Sequence, residues 1–110
     1  MKGYQISFFA EQGQRIEGKM TTEWLMHLAK SLGITGTTTF AGVESFGSDG
    51  HRHSAKFFEL SDQPVETMMA VTEQQSAALF EKLKTTNTRL FYIKMPVEYG
   101  ELGTQATSTA

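Results

Sequence analysis

What most constrains this chain is the order in which its hydrophobic period switches between 2 and 3.6. Lys2 to Phe9 alternate, with Tyr4, Ile6 and Phe8 on one face and Gln5 and Ser7 on the other, which is the pattern of a strand. Trp24, Leu25, Leu28, Ala29 and Leu32 then recur at helical spacing, and Thr21 or Thr22 is placed to cap that helix. Gly33 supplies its left-handed stop. Thr37 to Phe46 reads as a second strand. Ala55 to Leu60 and Val65 to Val71 read as a third, broken at Ser61 to Pro64 by a bulge or turn. Thr72-Glu73-Gln74-Gln75 has the spacing of a capping box, and Leu79, Phe80 and Leu83 form the helix face behind it. Leu90 to Val97 is the last strand.

Strand, helix, strand, strand, helix, strand is the split βαβ order of the ferredoxin-like α+β sandwich. It predicts a four-stranded antiparallel sheet with two helices on one face, both crossovers right-handed. A chain of 110 residues makes one such domain, over residues 1–103. Gly103 to Ala110, GTQATSTA, has nothing to bury, so residues 104–110 read as a disordered tail.

In the last strand Phe91, Ile93, Met95 and Val97 share one face, leaving Leu90 and Tyr92 on the side away from the helices. Phe57 beside Phe58, and Met68 beside Met69, also put apolar side chains on both faces. A solvated sheet face is polar, so an apolar second face points to self-association, with scattered surface apolar side chains as the plainer alternative.

There is no cysteine, hence no disulfide, thiolate metal site or cysteine nucleophile. The net charge of −2 lacks the basic excess of a nucleic-acid binder. No apolar run approaches membrane-spanning length, and the first 15 residues lack a signal-peptide core, so a cytoplasmic location is expected. Serines fall in no nucleophile elbow and no SxxK motif, so no enzyme signature stands out. Glu44 and Glu59 flank the central hairpin but read as exposed edge-strand carboxylates.

Three connections fall at one end of the predicted fold: a polar loop from Glu11 to Gly18, the hairpin loop Gly47 to Ser54, and the turn Thr85 to Arg89. Arg15, Lys19, Arg52, Lys56, Lys84 and Arg89 lie in or beside them, six of the ten basic residues. Basic side chains with glycine backbone suit a polyphosphate or another anion, although neither GxxxxGK[ST] nor GxGxxG occurs. His51 and His53, two apart in the hairpin loop, are a candidate divalent-metal pair, with Asp49 as a possible third ligand. A solvated loop with incidental histidines explains them as well. His27 reads as a helix-face residue.

The stretches MKGYQISFF, EWLMHLAKSLGITGTTTFAGVESFG, HSAKFF, LSDQPVE and RLFYIKMPVEYGELG resemble the PII-like family called domain of unknown function 190. The resemblance runs from about Met1 to Gly103. It implies a homotrimeric signalling protein that binds an adenine nucleotide (ATP, ADP or AMP) in clefts between subunits, with no required cofactor. It also implies that the loop from Ser45 to Lys56 contacts a partner protein such as a membrane transporter or channel. The family's phosphate contacts do not carry over residue by residue; the basic, glycine-containing end, taken with the resemblance, assigns Arg15, Lys19 and Arg89 to phosphates and Gly42, Phe46 and Gly47 to the loop base. Asp49, His51, Arg52 and His53 face the partner, with the histidines tuning the loop by protonation. A divalent-metal-responsive module using His51 and His53 is the alternative, and slow nucleotide hydrolysis a third possibility. The chain departs from PII proteins in two ways. The connection Lys84-Thr85-Thr86-Asn87-Thr88-Arg89 has no glycine, and the loop has no tyrosine for modification.

Overall fold

A computed structural model describes residues 1–11, 13–41, 45–46, 52–53 and 64–103. The main sheet holds β1 (Lys2–Glu11), β4 (Gly36–Ala41), β7 (Pro64–Val71) and β8 (Phe91–Glu98), in the spatial order β4-β7-β1-β8, antiparallel throughout. Among the described residues there are also two short ribbons: β2 (Arg15–Ile16) with β3 (Lys19–Met20), and β5 (Ser45–Phe46) with β6 (Arg52–His53). Helices α1 (Thr21–Ser31) and α2 (Glu73–Lys84) provide the two crossovers. This is the ferredoxin-like arrangement that the hydrophobic order dictates.

Register decides which face is the core. Tyr4 lies opposite Val71 and Pro96, Ile6 opposite Met69 and Lys94, and Phe8 opposite Thr67 and Tyr92, so these residues share a face. Ile6, Phe8, Met69 and Val71 are buried there against Trp24, Leu25 and Ala29 of α1 and Leu79 of α2. Each fully buried side chain of this size contributes about 1.5–3 kcal/mol. Phe80 stacks tilted on Phe8 at 5.9 Å and edge-on to Tyr92 at 4.8 Å, extending the core to the β8 edge.

The last strand is therefore turned over relative to the sequence expectation. Leu90 packs on the core and Tyr92 joins its aromatic wall. Phe91, Ile93, Met95 and Val97 lie on the face that no helix covers. Strict alternation left two choices for this strand, and the pairing of Phe8 with Tyr92 selects the one the larger apolar set argued against. Phe9, Phe40, Met68 and Ala70 are on the same open face. Met69, one position from Met68, is fully buried on the helix side.

The helix ends show where sequence signals held. Gly33, with φ 78°, forms a Schellman close: its N–H donates to Lys30 O at 3.1 Å and that of Ile34 to Ala29 O at 2.9 Å. At α2 the capping box is complete: Thr72 Oγ1 accepts from Gln75 N at 3.0 Å, and Gln75 Oε1 accepts from Thr72 N at 2.9 Å. Thr72→Ala is expected to cost about 1 kcal/mol. Thermal unfolding should then shift down by about 4–8 °C, and an unchanged midpoint would refute the cap's contribution.

Other expectations need correction. Neither Thr21 nor Thr22 caps α1; Met20 holds the N-cap position without a side-chain bond. Thr21 is already helical, and its hydroxyl donates to Gln14 O at 2.9 Å. The stretch read as a loop carries the β2–β3 ribbon, closed through Glu17 (φ 52°) and Gly18 (φ 82°), the two positive values of a tight hairpin turn. Of the expected second strand, Gly36–Ala41 forms β4, residues 42–44 lie outside the described residues, and Ser45–Phe46 pairs with Arg52–His53 in a ribbon of its own. The expected strand Ala55 to Leu60, Glu44, Glu59, Lys56 and the tail 104–110 lie outside the described residues.

Candidate ligand-binding end

β1 and β4 run toward one end of the sheet, while β7 and β8 start from it. Two connections described there meet physically. The β2–β3 ribbon is pinned by Ile16, which is buried in the core. The indole Nε1 of Trp24 donates to Glu17 Oε1 at 3.0 Å, holding the ribbon's turn to α1. Arg15 Nη1 reaches Gly18 O at 3.4 Å across that turn. From the other side, Gln14 Nε2 donates to Arg89 O at 2.9 Å. The segment after β1 is thereby tied to the segment before β8, 75 residues away.

Arg15, Lys19, Lys84 and Arg89 are all exposed at this end. Arg15 pairs with Met20 and Lys19 with Ile16, and directly opposed residues share a face. Arg15 and Lys19 therefore project from opposite faces of the ribbon.

The two helix ends present here have opposite polarity. α1 begins with an uncapped N-terminus, whose amide groups favour an anion. α2 ends here, and its last carbonyls disfavour one. Thr85 Oγ1 donates to Lys82 O and Thr86 Oγ1 to Leu83 O, each at 2.7 Å, and Lys82 and Lys84 stand in the last turn. These groups offset the negative end of α2. The Thr-rich turn thus caps the end of α2 with its hydroxyls, and Asn87 supplies the one positive φ (55°) in it.

The remaining predicted positions fall unevenly. Gly42, Gly47, Asp49 and His51 lie outside the described residues. Phe46 is in β5, and Arg52 and His53 are in β6, where Phe46 pairs with Arg52 and Ser45 with His53. Among the described residues no three His, Asp or Glu side chains gather to hold a metal ion. His27 is exposed on α1, as expected of a helix-face residue. Sequence reasoning missed Gln14 and Ile16. Ile16 was findable, because Arg-Ile and Lys-Met flank a two-residue Glu-Gly turn. Nothing in the sequence marks Gln14.

A hollow of about 160 Å³ opens at this end past Leu83, Lys84, Thr88 and Leu90, and two larger ones among the described residues lie elsewhere. One, about 540 Å³, runs between α1 and β4 past Met26, His27, Lys30, Ile34 and Thr37. Another lies between α2 and β8 past Tyr4, Ser76, Phe80 and Lys94. In the second, the Lys94 ammonium sits 4.2 Å from the Tyr4 ring centre, a cation on an aromatic wall. Neither hollow includes Arg15, Lys19 or Arg89.

A family model, DUF190: Uncharacterized ACR, matches residues 3–99. No curated protein matches the chain. Among solved structures, the chain is similar to CPII, a nitrogen regulatory PII-like protein from Thiomonas intermedia K12, in a structure bound to ADP, AMP and bicarbonate. Identity there is 18%, covering 88% of this chain and 89% of that one, with a TM-score of 0.56. It is also similar to a putative PII-like signaling protein from Thermus thermophilus, at 15% identity, 88% coverage of both chains and a TM-score of 0.64. The apo form of CPII matches at 15% identity, over 88% of this chain and 92% of that one, with a TM-score of 0.53. At these identities the likeness establishes the PII-like fold.

Proposed function

The chain belongs to the DUF190 family, and from that premise we propose that it is a PII-like signalling protein that binds an adenine nucleotide. The observation that carries this reading is the fold shared with CPII over 88% of the chain, in a structure of CPII bound to ADP and AMP. Two features of this molecule support it. The open sheet face is apolar along β8, with Phe91 67% exposed, Ile93 46% and Met95 44%, which suits assembly of copies, as a homotrimer, across that face. Exposed basic residues gather at one end, with Arg15 and Lys19 on opposite faces of the ribbon, which suits a site completed between copies.

Arg15, Lys19 and Arg89 then contact phosphates, and Gly42, Phe46 and Gly47 form the base of the segment 45–56. Asp49, His51, Arg52 and His53 present that segment to a protein partner, of the transporter or channel class on the family resemblance. The role is binding and signalling, with the nucleotide as effector rather than substrate. Among the described residues no helix is long and apolar enough to cross a membrane.

Calorimetric titration of the full chain with ADP, AMP and ATP tests the reading. One of the three is expected to saturate at one per subunit. Arg89→Ala, which removes a charge-assisted phosphate contact, is expected to weaken that affinity about tenfold or more. Absence of binding by all three at millimolar concentration would overturn the nucleotide assignment.

A further inference from the structure

Gln14 occupies a position no sequence motif announces. Its backbone N–H donates to Glu11 O at 3.0 Å, and its carbonyl accepts both the N–H of Thr21 at 3.0 Å and the Thr21 hydroxyl at 2.9 Å. Its side chain accepts from Glu11 N at 3.4 Å and donates to Arg89 O at 2.9 Å. One residue thus joins the end of β1, the start of α1 and the residue two before β8. Among the described residues the bond to Arg89 is the one hydrogen bond linking the ribbon segment to the α2–β8 turn.

We propose that Gln14 is the positioning residue of the anion-binding end, fixing the backbone of Arg89 beside Arg15 before the ligand arrives; this rests on the nucleotide reading above. Arg15 is the next residue in the chain, so the Gln14 amide sets the spacing between the two segments that carry these guanidinium groups. Arg89 follows a turn with a positive-φ asparagine and precedes an edge strand. The tether holds its main chain at the carbonyl. Ordering it in advance removes a conformational cost from binding. The bond is solvent-exposed, so when it is removed water takes its place and the loss leaves stability nearly intact. Position, and hence affinity, is what the bond supplies.

The test is a double-mutant cycle read by ADP calorimetry on the full chain, with thermal midpoints measured in parallel. Gln14→Ala is expected to weaken ADP binding about fivefold to tenfold while the midpoint moves by only a few degrees. Gln14→Met, which keeps the side chain's length and packing but lacks the donor, is expected to match it. In an Arg89→Ala background neither change should weaken binding further, because Gln14 acts through Arg89. A purely structural role would move the midpoint and would add to the Arg89→Ala loss. Wild-type affinity in both variants, or fully additive losses, overturns the proposal while leaving the nucleotide reading in place. Where AMP or ATP binds in place of ADP the cycle is read with that nucleotide, and a wild-type chain that binds none of the three overturns both.

Discussion

Ile93→Asp is expected to turn the assembled protein into a folded monomer. Ile93 sits opposite Ser7 in the middle of β8, flanked on the open face by Phe91 and Met95. In the single chain it is half exposed, so a carboxylate there remains hydrated and the fold tolerates it. In an assembly that buries this face, the same carboxylate is desolvated among phenylalanine and methionine without a partner, at a cost of several kcal/mol per copy. Light scattering is therefore expected to show the mass falling to that of one chain, with far-ultraviolet circular dichroism unchanged. A variant that keeps the wild-type mass would show that copies meet on some other surface.

Phe8→Ala should have the largest effect on the fold itself. Phe8 is 1% exposed and its ring lies 5.9 Å from Phe80 and 6.3 Å from Tyr92, at the junction of β1, β8 and α2. Removing the ring leaves a cavity among side chains already held by two strands and a helix, and such truncations cost about 3–5 kcal/mol. For a domain of this size that lowers the thermal midpoint by more than about 12 °C. Phe91 is the instructive control. It lies one register step away, opposite Phe9 with ring centres 5.6 Å apart, but on the open face. Phe91→Ala should leave the stability of the monomeric Ile93→Asp background within about 1 kcal/mol. Equal losses for the two phenylalanines would mean that the faces have been assigned wrongly.

Those two residues also show what could and could not be read from the sequence. Period-2 alternation in β1 and the helical spacing of Trp24, Leu25, Leu28, Ala29 and Leu32 were enough for the element order, and the order is enough for the topology. The capping box at Thr72 and the left-handed stop at Gly33 were legible because each is a local device with its own chemistry. Which face of β8 meets the helices was not legible. Both faces are apolar, and the choice rests on pairing Phe8 with Tyr92, a contact between residues far apart in the chain. The larger apolar set reads from sequence as the core side, whereas it lies on the face free for other copies.

At the candidate site the collection of Arg15, Lys19 and Arg89 at one end followed from topology alone. Their arrangement did not. The β2–β3 ribbon needs positive φ at Glu17, which a glutamate does not advertise, and it places Arg15 and Lys19 on opposite faces. The Gln14 tether joins residues 75 positions apart through a single amide, and no local pattern encodes such a bond. A basic end with Arg15 and Lys19 on opposite faces of the ribbon is physically coherent if neighbouring copies complete it.

That dependence on neighbours is the claim most open to a direct test: calorimetric titration of ADP into the Ile93→Asp variant beside the wild type. The wild-type assembly should saturate at one ADP per subunit, and the folded monomer should lose affinity by at least about tenfold, because half of each cleft is gone. A folded monomer that binds ADP as tightly as the wild type would place the whole site within one chain and contradict an intersubunit cleft.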